Sequence, residues 1–387
     1  MPAARFPVPA PPSRARIPLF GLVKVLPAML VAACAAGCAL TEDLTTVVSE
    51  PPPSTVAADP AGSADPGAAV SPGEPARATA EPSAVAAPTT DWCTGLTVGA
   101  GPTAEDPDLT ELSGLAASER SPGVLWAVND SGHAPALHAL GADGENLGTF
   151  PLEGLDDALT ATSDTEDLAI SNGMVYVADI GDNNNNRSQV AVYRFPEPDP
   201  ADPGPIRDVE VLRLKYPDGP RDAEALLVDP VSGDLVIIDK SFRIASGGAA
   251  MLAAAEAGVY TAGPPFDPAG VTTLRAVGAV ALDDLATRTT AEPVENEASL
   301  YGIGGVATAT DVRPDGAVVA VRTYGTVWLF DRAEGQSIVQ SLAGTPCEAP
   351  TLAEDQGESV AFLPGDGLTL ITGSEGASPE LHRISRP

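Results

Sequence analysis

Glu166-Asp167-Leu168-Ala169-Ile170, then Ser171-Asn172-Gly173, then Met174-Val175-Tyr176-Val177-Ala178-Asp179 reads as two short apolar strands joined by a turn. The first run opens with acids and the second closes with one, so each strand carries its polar residue at the same end of the pair. The same order recurs. Ser113–Ala117 precedes Val124–Asp130, and Glu224–Val228 precedes Leu235–Asp239. Thr310–Gly316 precedes Val318–Arg322, and Glu358–Phe362 precedes Leu368–Thr372.

Around this pair lie further strands. Val190–Phe195, Val259–Thr261 and Thr326–Phe330 supply a third strand with an aromatic residue, and Ala136–Leu140 is a more polar counterpart in the first unit. Outer strands are expected at Val209–Leu214 and Thr272–Leu282. Four antiparallel strands repeating every ~50 residues indicate an all-β fold, a β-propeller. Five four-stranded blades are counted, and six would fit if the insertions Ala249–Gly258 and Asp283–Ser299 hid another. A β-sandwich is the competing architecture, disfavoured by the order and phase of the repeats. The fifth unit lacks an outer strand, which Leu96-Thr97-Val98 could supply, so the ring would close with strands from both ends of the domain. Cys93 lies beside that joint and Cys347 just before the last blade, and a disulfide between them is expected, two free thiols being the alternative. Such a bridge would close a loop for which chain entropy gives on the order of 5 kcal/mol.

Composition agrees with many turns and short strands. The 387 residues include 38 Gly and 39 Pro, and aromatics make up 4%, which leaves Val, Leu, Ile and Ala to build the core. The formal net charge is −32. Phosphate backbones and anionic headgroups are repelled by such a surface, so nucleic acid is not an expected partner. Cations and cationic ligands are favoured, although solubility or salt tolerance would call for the same charge.

The first ninety residues do not read as a domain. Arg5, Arg14, Arg16 and Lys24 precede the apolar run Val25–Ala33, the order of a secretory signal. Val31-Ala32-Ala33-Cys34-Ala35-Ala36-Gly37-Cys38 resembles a bacterial lipobox, with Cys38 the expected acylation site and Cys34 the alternative. An uncleaved transmembrane helix is disfavoured because Lys24 and Pro27 interrupt the ~20-residue apolar span it needs. The expected organisation is a signal peptide over 1–37, a Pro-, Ala-, Ser- and Thr-rich tether over 38–90, and the propeller over 91–387. The protein is then expected outside the cytoplasm as a monomer, touching the membrane through its lipid alone.

In a propeller the first strand of each blade lines the central channel. Ser113, Glu166, Glu224, Thr310 and Glu358 are therefore expected around one mouth, with Asp130, Asp179, Asp182, Asp239, Lys240, Arg322 and Glu375 from the ends of the second strands. Three glutamates at one opening repel each other unless a cation intervenes. Calcium takes six to eight oxygen ligands, and Glu166, Glu224, Glu358, Asp179 and Asp182 are the candidate metal residues. The competing reading pairs the glutamates with Lys240 and Arg322 and uses carboxylates to accept backbone hydrogen bonds between blades. Asp179–Arg187 is an acidic, amide-rich loop that lacks the EF-hand pattern and is favoured as a plain hairpin connection. The domain has three histidines, His133, His138 and His382, and no Gly-x-Ser-x-Gly elbow, which argues against a serine hydrolase.

Trp126–Gly132, Glu166–Ala169, Val177–Asn183, Asp222–Leu226 and Val321–Tyr324 resemble an actinobacterial group of secreted or lipid-anchored propellers. More distantly, Leu112-Ser113-Gly114-Leu115 and the glutamate-led strand starts are similar to phytase-like and esterase-like propellers. The resemblance covers about Leu109 to the C-terminus. It implies the propeller fold and, through the distant relatives, calcium and phosphomonoester cleavage at a basic phosphate-binding patch. This chain departs from that pattern in having few Lys or Arg near the expected mouth. The function expected is binding of a small molecule or protein partner at an acidic channel mouth, with calcium. A calcium-dependent hydrolase of phosphoesters or lactones is the alternative, with Glu166, Glu224 and Glu358 as metal ligands or general base.

Overall fold

Asn172 and Gly173 both have positive φ, 55° and 72°, and Ser171 pairs with Met174 across them. This is the two-residue hairpin turn whose twist matches that of the strands it joins. It connects the inner strand Thr165–Ser171 to the second strand Met174–Asp179, and Val190–Pro196 and Glu210–Lys215 complete the sheet outward. The computed structural model of the chain describes residues 92–244, 252–290, 304–365 and 367–386. The expected signal segment, both candidate acylation sites Cys34 and Cys38, and the tether lie outside the described residues, as do parts of both insertions.

Four more sheets follow the same plan. Blade 1 is Leu112–Ala117, Leu125–Asn129, Ala136–Leu140 and Asn146–Pro151. The unit opened by Thr165 is blade 2. Blade 3 is Ala223–Val228, Leu235–Asp239, Ala257–Ala262 and Arg275–Val280. Blade 4 is Ala307–Val312, Val318–Thr323, Val327–Asp331 and Cys347–Ala349. Blade 5 is Gly357–Phe362, Thr369–Ser374, Leu381–Ser385 and, from the other end of the domain, Thr97–Gly99. Each inner strand packs against the next, and that of blade 5 packs against that of blade 1, so the ring is closed. The molecule is a five-bladed β-propeller.

The core is five wedges, one between each pair of neighbouring blades. Successive side chains of a strand point to opposite faces. Val175 and Val177 therefore enter the wedge between blades 1 and 2, while Tyr176 and Ala178 enter the wedge between blades 2 and 3. Burial on both faces explains why the second strands read as continuous apolar runs. Buried carboxylates stitch the inner strands together. Asp167 accepts hydrogen bonds from its own neighbour Leu168, from Leu226 of blade 3 and from Thr310 of blade 4. Asp311 links blade 4 to the Phe362 amide of blade 5. Gly114 is needed where blades 1 and 2 approach, because a Cβ there would lie 2.7 Å from the Asp167 Cα.

The closure matches the expectation from Leu96-Thr97-Val98: Thr97 pairs with Ser385, Val98 with Ile384 and Gly99 with Arg383. The Cys93–Cys347 disulfide joins the approach to this strand to the outer strand of blade 4. Trp92 adds a 2.7 Å hydrogen bond to Asp331. One outer strand differs from expectation. Thr272–Leu282 is split: Val271–Thr273 pairs in parallel with Glu210–Lys215 of blade 2, while Arg275–Val280 belongs to blade 3 and a short helix, Leu282–Ala286, follows. Leu274, buried between the two pieces, donates its backbone N–H to the Lys215 carbonyl and marks the change of sheet.

Candidate functional site

Every inner strand is irregular at the same place. Pairing with the second strand slips between Thr165 and Asp167, Ala223 and Ala225, Ala307 and Ala309, Gly357 and Ser359, and Leu112 and Leu115. A bulge leaves a residue unpaired and re-aims its side chain. The bulged residues are Glu166, Glu224, Thr308, Glu358 and the pair Ser113-Gly114. They sit at the end of each blade where the second strand finishes. Blade 4 therefore contributes Thr308 at this level, and the expectation for Thr310 is off by two residues. Thr308 donates its hydroxyl to the Gly357 carbonyl, and Thr310 gives its backbone N–H to Asp167.

Two further levels frame the opening. Glu111, Asp164, Asp222 and Gln356 lie two residues before the bulge, and Asp130, Lys240, Tyr324 and Glu375 follow the second strands. The Asp130, Lys240 and Glu375 amides donate to the carbonyls of Glu111, Asp222 and Gln356, which holds the two levels in register. Electrostatic coupling runs across the whole opening. Glu166 is affected by Asp130, Asp164, Glu224 and Lys240, and Glu358 by Glu224, Lys240 and Glu375. Eight carboxylates (Glu111, Asp130, Asp164, Glu166, Asp222, Glu224, Glu358 and Glu375) thus share the mouth with Lys240.

Burial decides the protonation pattern. It pushes the Glu166 carboxyl well above the usual range, and repulsion from Asp130, Asp164 and Glu224 adds to it. Asp164 is pushed up to about 7, by burial and then by Asp130 and Asp222. Glu375 is pushed up to about 7, by burial and then by Asp130 and Glu111. Glu358 is raised by burial and by Glu224. Burial works to lower the Lys240 pKa, but Glu224, Tyr324, Asp222 and Glu358 outweigh it and the ammonium is held charged. Lys240 contacts Glu224 Oε1 and lies 5.2 Å from the centre of the Tyr324 ring. Burial raises Glu224 too, to about 8, outweighing the pull of the Lys240 ammonium that contacts it.

Other sequence-predicted residues are drawn into different work. The Ser113 hydroxyl donates to the Glu166 carbonyl between blades 1 and 2. Arg322 does not reach the mouth. It is buried between blades 4 and 5 against Glu354, which also accepts from Thr372 at 2.7 Å and meets His382 Nδ1 at 2.9 Å. Asp179 is taken by Arg187, the Asp164 amide and the Tyr193 hydroxyl. Asp182 accepts from the Asn186 and Arg187 amides, so this stretch is a self-capped loop.

Among the described residues one set of three can offer oxygens to a common metal ion: Asp130, Asp164 and Glu166, whose atoms lie within 4.8 Å of one another. Of the five expected metal residues only Glu166 belongs to it. Lys240 occupies Glu224, Gln356 donates to Glu358 at 2.7 Å, and Asp179 and Asp182 have the partners given above. Asp164 and Asp222 escaped the sequence reading as site residues. A signal was present: in four of the five blades a polar residue stands two places before the strand-opening one, in Glu111-Leu112-Ser113, Asp164-Thr165-Glu166, Asp222-Ala223-Glu224 and Gln356-Gly357-Glu358.

No protein-family model matches the chain. No curated protein matches it. Among solved structures, the PQQ-bound aldose sugar dehydrogenase from Streptomyces coelicolor is 13% identical, with 75% of this chain and 98% of that chain covered and a TM-score of 0.38. A calcium structure of Trichoderma reesei carbohydrate-active enzymes family AA12 is 11% identical, with 79% and 98% covered and a TM-score of 0.39. The fold assignment rests on this chain's own hydrogen-bonded sheets and their closure.

Proposed function

We propose that the chain is a lipid-anchored extracytoplasmic propeller of the actinobacterial kind that binds a positively charged ligand, or a basic segment of a protein partner, at its acidic mouth. It acts there as a monomer, held off the membrane by its tether. The observation that carries this reading is the imbalance at the opening, where eight carboxylates from four blades face Lys240, itself bound by Glu224. Such a field concentrates cations and rejects anions. The phosphoester-hydrolase alternative is less well supported, because a phosphate needs a free cation and Lys240 is engaged.

Full-length protein in detergent micelles, titrated calorimetrically with spermidine as a cationic probe at low salt, tests the reading. Binding that weakens in Glu358→Gln and Glu375→Gln is the expected result. Absence of heat, or heat unchanged in both variants, overturns it. Fractionation of cells carrying Cys38→Ala tests the anchor. The variant is expected in the soluble fraction, whereas retention with loss only in Cys34→Ala moves the acylation to the upstream cysteine.

A further inference from the structure

We infer that the mouth holds a hard divalent cation, calcium foremost, on its blade 1–blade 2 side, between Asp130, Asp164 and Glu166. This inference rests on the acidic-mouth reading and narrows it from a charged surface to a built site.

Three observations converge on it. One oxygen from each of the three carboxylates lies within 4.8 Å of the others. Calcium–oxygen bonds of about 2.3–2.6 Å can bridge such a group. Glu166 is 3% exposed, and no described residue donates a hydrogen bond or forms an ion pair with its carboxylate. A buried carboxylate without a partner is costly unless a cation meets it. Gly181 forms the bare wall of the group: a Cβ there would collide with Glu166 Oε1 and lie 2.6 Å from the Asp164 carboxyl. The close approach keeps any larger residue out and lets both carboxylates turn to the same point.

The rest of the mouth explains why the site is displaced from its centre. Lys240 already neutralises the blade 3 side through Glu224 and stands against Tyr324 of blade 4. A second cation there would be repelled. On the blade 1–2 side Arg187 is the guanidinium felt by Asp164, and it is spent on Asp179 and the Gly181 carbonyl. All three donors are carboxylates, with no imidazole or thiolate, which suits a hard ion. Calcium tolerates irregular oxygen sets, whereas magnesium demands near-octahedral geometry.

The test is calorimetric titration of the full-length protein, freed of metal by chelator, with Ca2+ and with Mg2+. Thermal unfolding is measured in parallel with and without Ca2+. One Ca2+ per chain is expected, with a melting temperature raised by several degrees at saturation. Asp130→Asn, Asp164→Asn and Glu166→Gln should each weaken Ca2+ by about tenfold or more, since affinity follows ligand charge. Glu334→Gln, on the loop at the opposite end of the blades, should leave it unchanged. Melting temperatures in chelator establish which variants are folded, and three independent positions keep the test open if one is not. No Ca2+ binding, or binding equal in every folded variant, overturns the inference. If spermidine binds and Ca2+ does not, the metal site fails and the acidic-mouth reading stands; if neither binds, both fail.

Discussion

Glu354 and Glu166 are both buried glutamates in one ring of blades, and their carboxyls are driven in opposite directions. Glu354 sits in the seam between blades 4 and 5. Burial would raise it, but Arg322, His382 and Thr372 outweigh burial, and its carboxyl is held below the usual range. Glu166 sits at the mouth between blades 1 and 2. Burial raises it, Asp130 and Asp164 raise it further, and no described residue pairs with it. In the seam the chain supplies the cation. At the mouth the chain spends its lysine on Glu224 and gives Glu166 no cation. The first arrangement ties blade 4 to blade 5, and the second leaves a buried carboxyl at the opening without a partner among the described residues.

The largest expected effect breaks the seam. Arg322→Met should destabilise the protein by about 3–5 kcal/mol in denaturant unfolding, because Glu354 is left buried without its guanidinium. Adding Glu354→Gln to that variant should recover much of the loss, since removing both partners is far less costly than removing one. Failure of the double variant to recover would mean that Arg322 acts by packing and the comparison is misdrawn. The next effect is on closure beside the seam. Cys93→Ser with Cys347→Ser should cost about 2–5 kcal/mol, measured as a lower midpoint of unfolding.

The mouth should respond in the opposite sense. The Asp164 carboxyl is raised from 3.8 to about 7 on folding. A raised carboxyl contributes stability that is present below its unfolded value and lost as pH rises through its folded value. Asp164→Asn should therefore stabilise the metal-free protein by about 1–2 kcal/mol at pH 8, a fraction of the full shift because its neighbours share it. At pH 4 the gain should vanish. Equal stability at both pH values would show that the mouth carboxylates are not under strain.

The smallest effect is the pH profile of the seam. His382 is raised from 6.5, chiefly by its hydrogen bond to Glu354 and against burial. Its contribution is complete below pH 6.5 and fades as pH rises through the folded value. Glu354, lowered from 4.5, contributes above that value and loses its contribution as pH falls through the depressed one. The seam should be strongest between those limits. His382→Gln should flatten the alkaline side of a stability-versus-pH curve by ~1 kcal/mol or less; an unchanged slope would separate His382 from the Glu354 network.

Much of the fold was legible because strand pairs in a propeller are local. Asn172-Gly173, the apolar run Met174–Ala178 and the missing outer strand after Ile384 could each be read within a few residues. The split of Thr272–Leu282 could not, because its first half is recruited by a strand some sixty residues earlier. The site was legible as a ring of strand-opening acids and illegible in its pairing. Thr308 was passed over for Thr310 because the bulge that defines the level is a property of pairing between strands.

Periodicity alone gave most of the strands, their order, the closure and the gathering of acids at one end, since alternation and repeat length act between neighbours. Which carboxylate meets a cation was settled by packing around the ring. Arg322 finds Glu354 and Lys240 finds Glu224, while Glu166 finds Asp130 and Asp164. Those choices depend on ångström-scale distances in a medium of low dielectric, where a partner across a strand pair or a blade seam outweighs every residue adjacent in sequence.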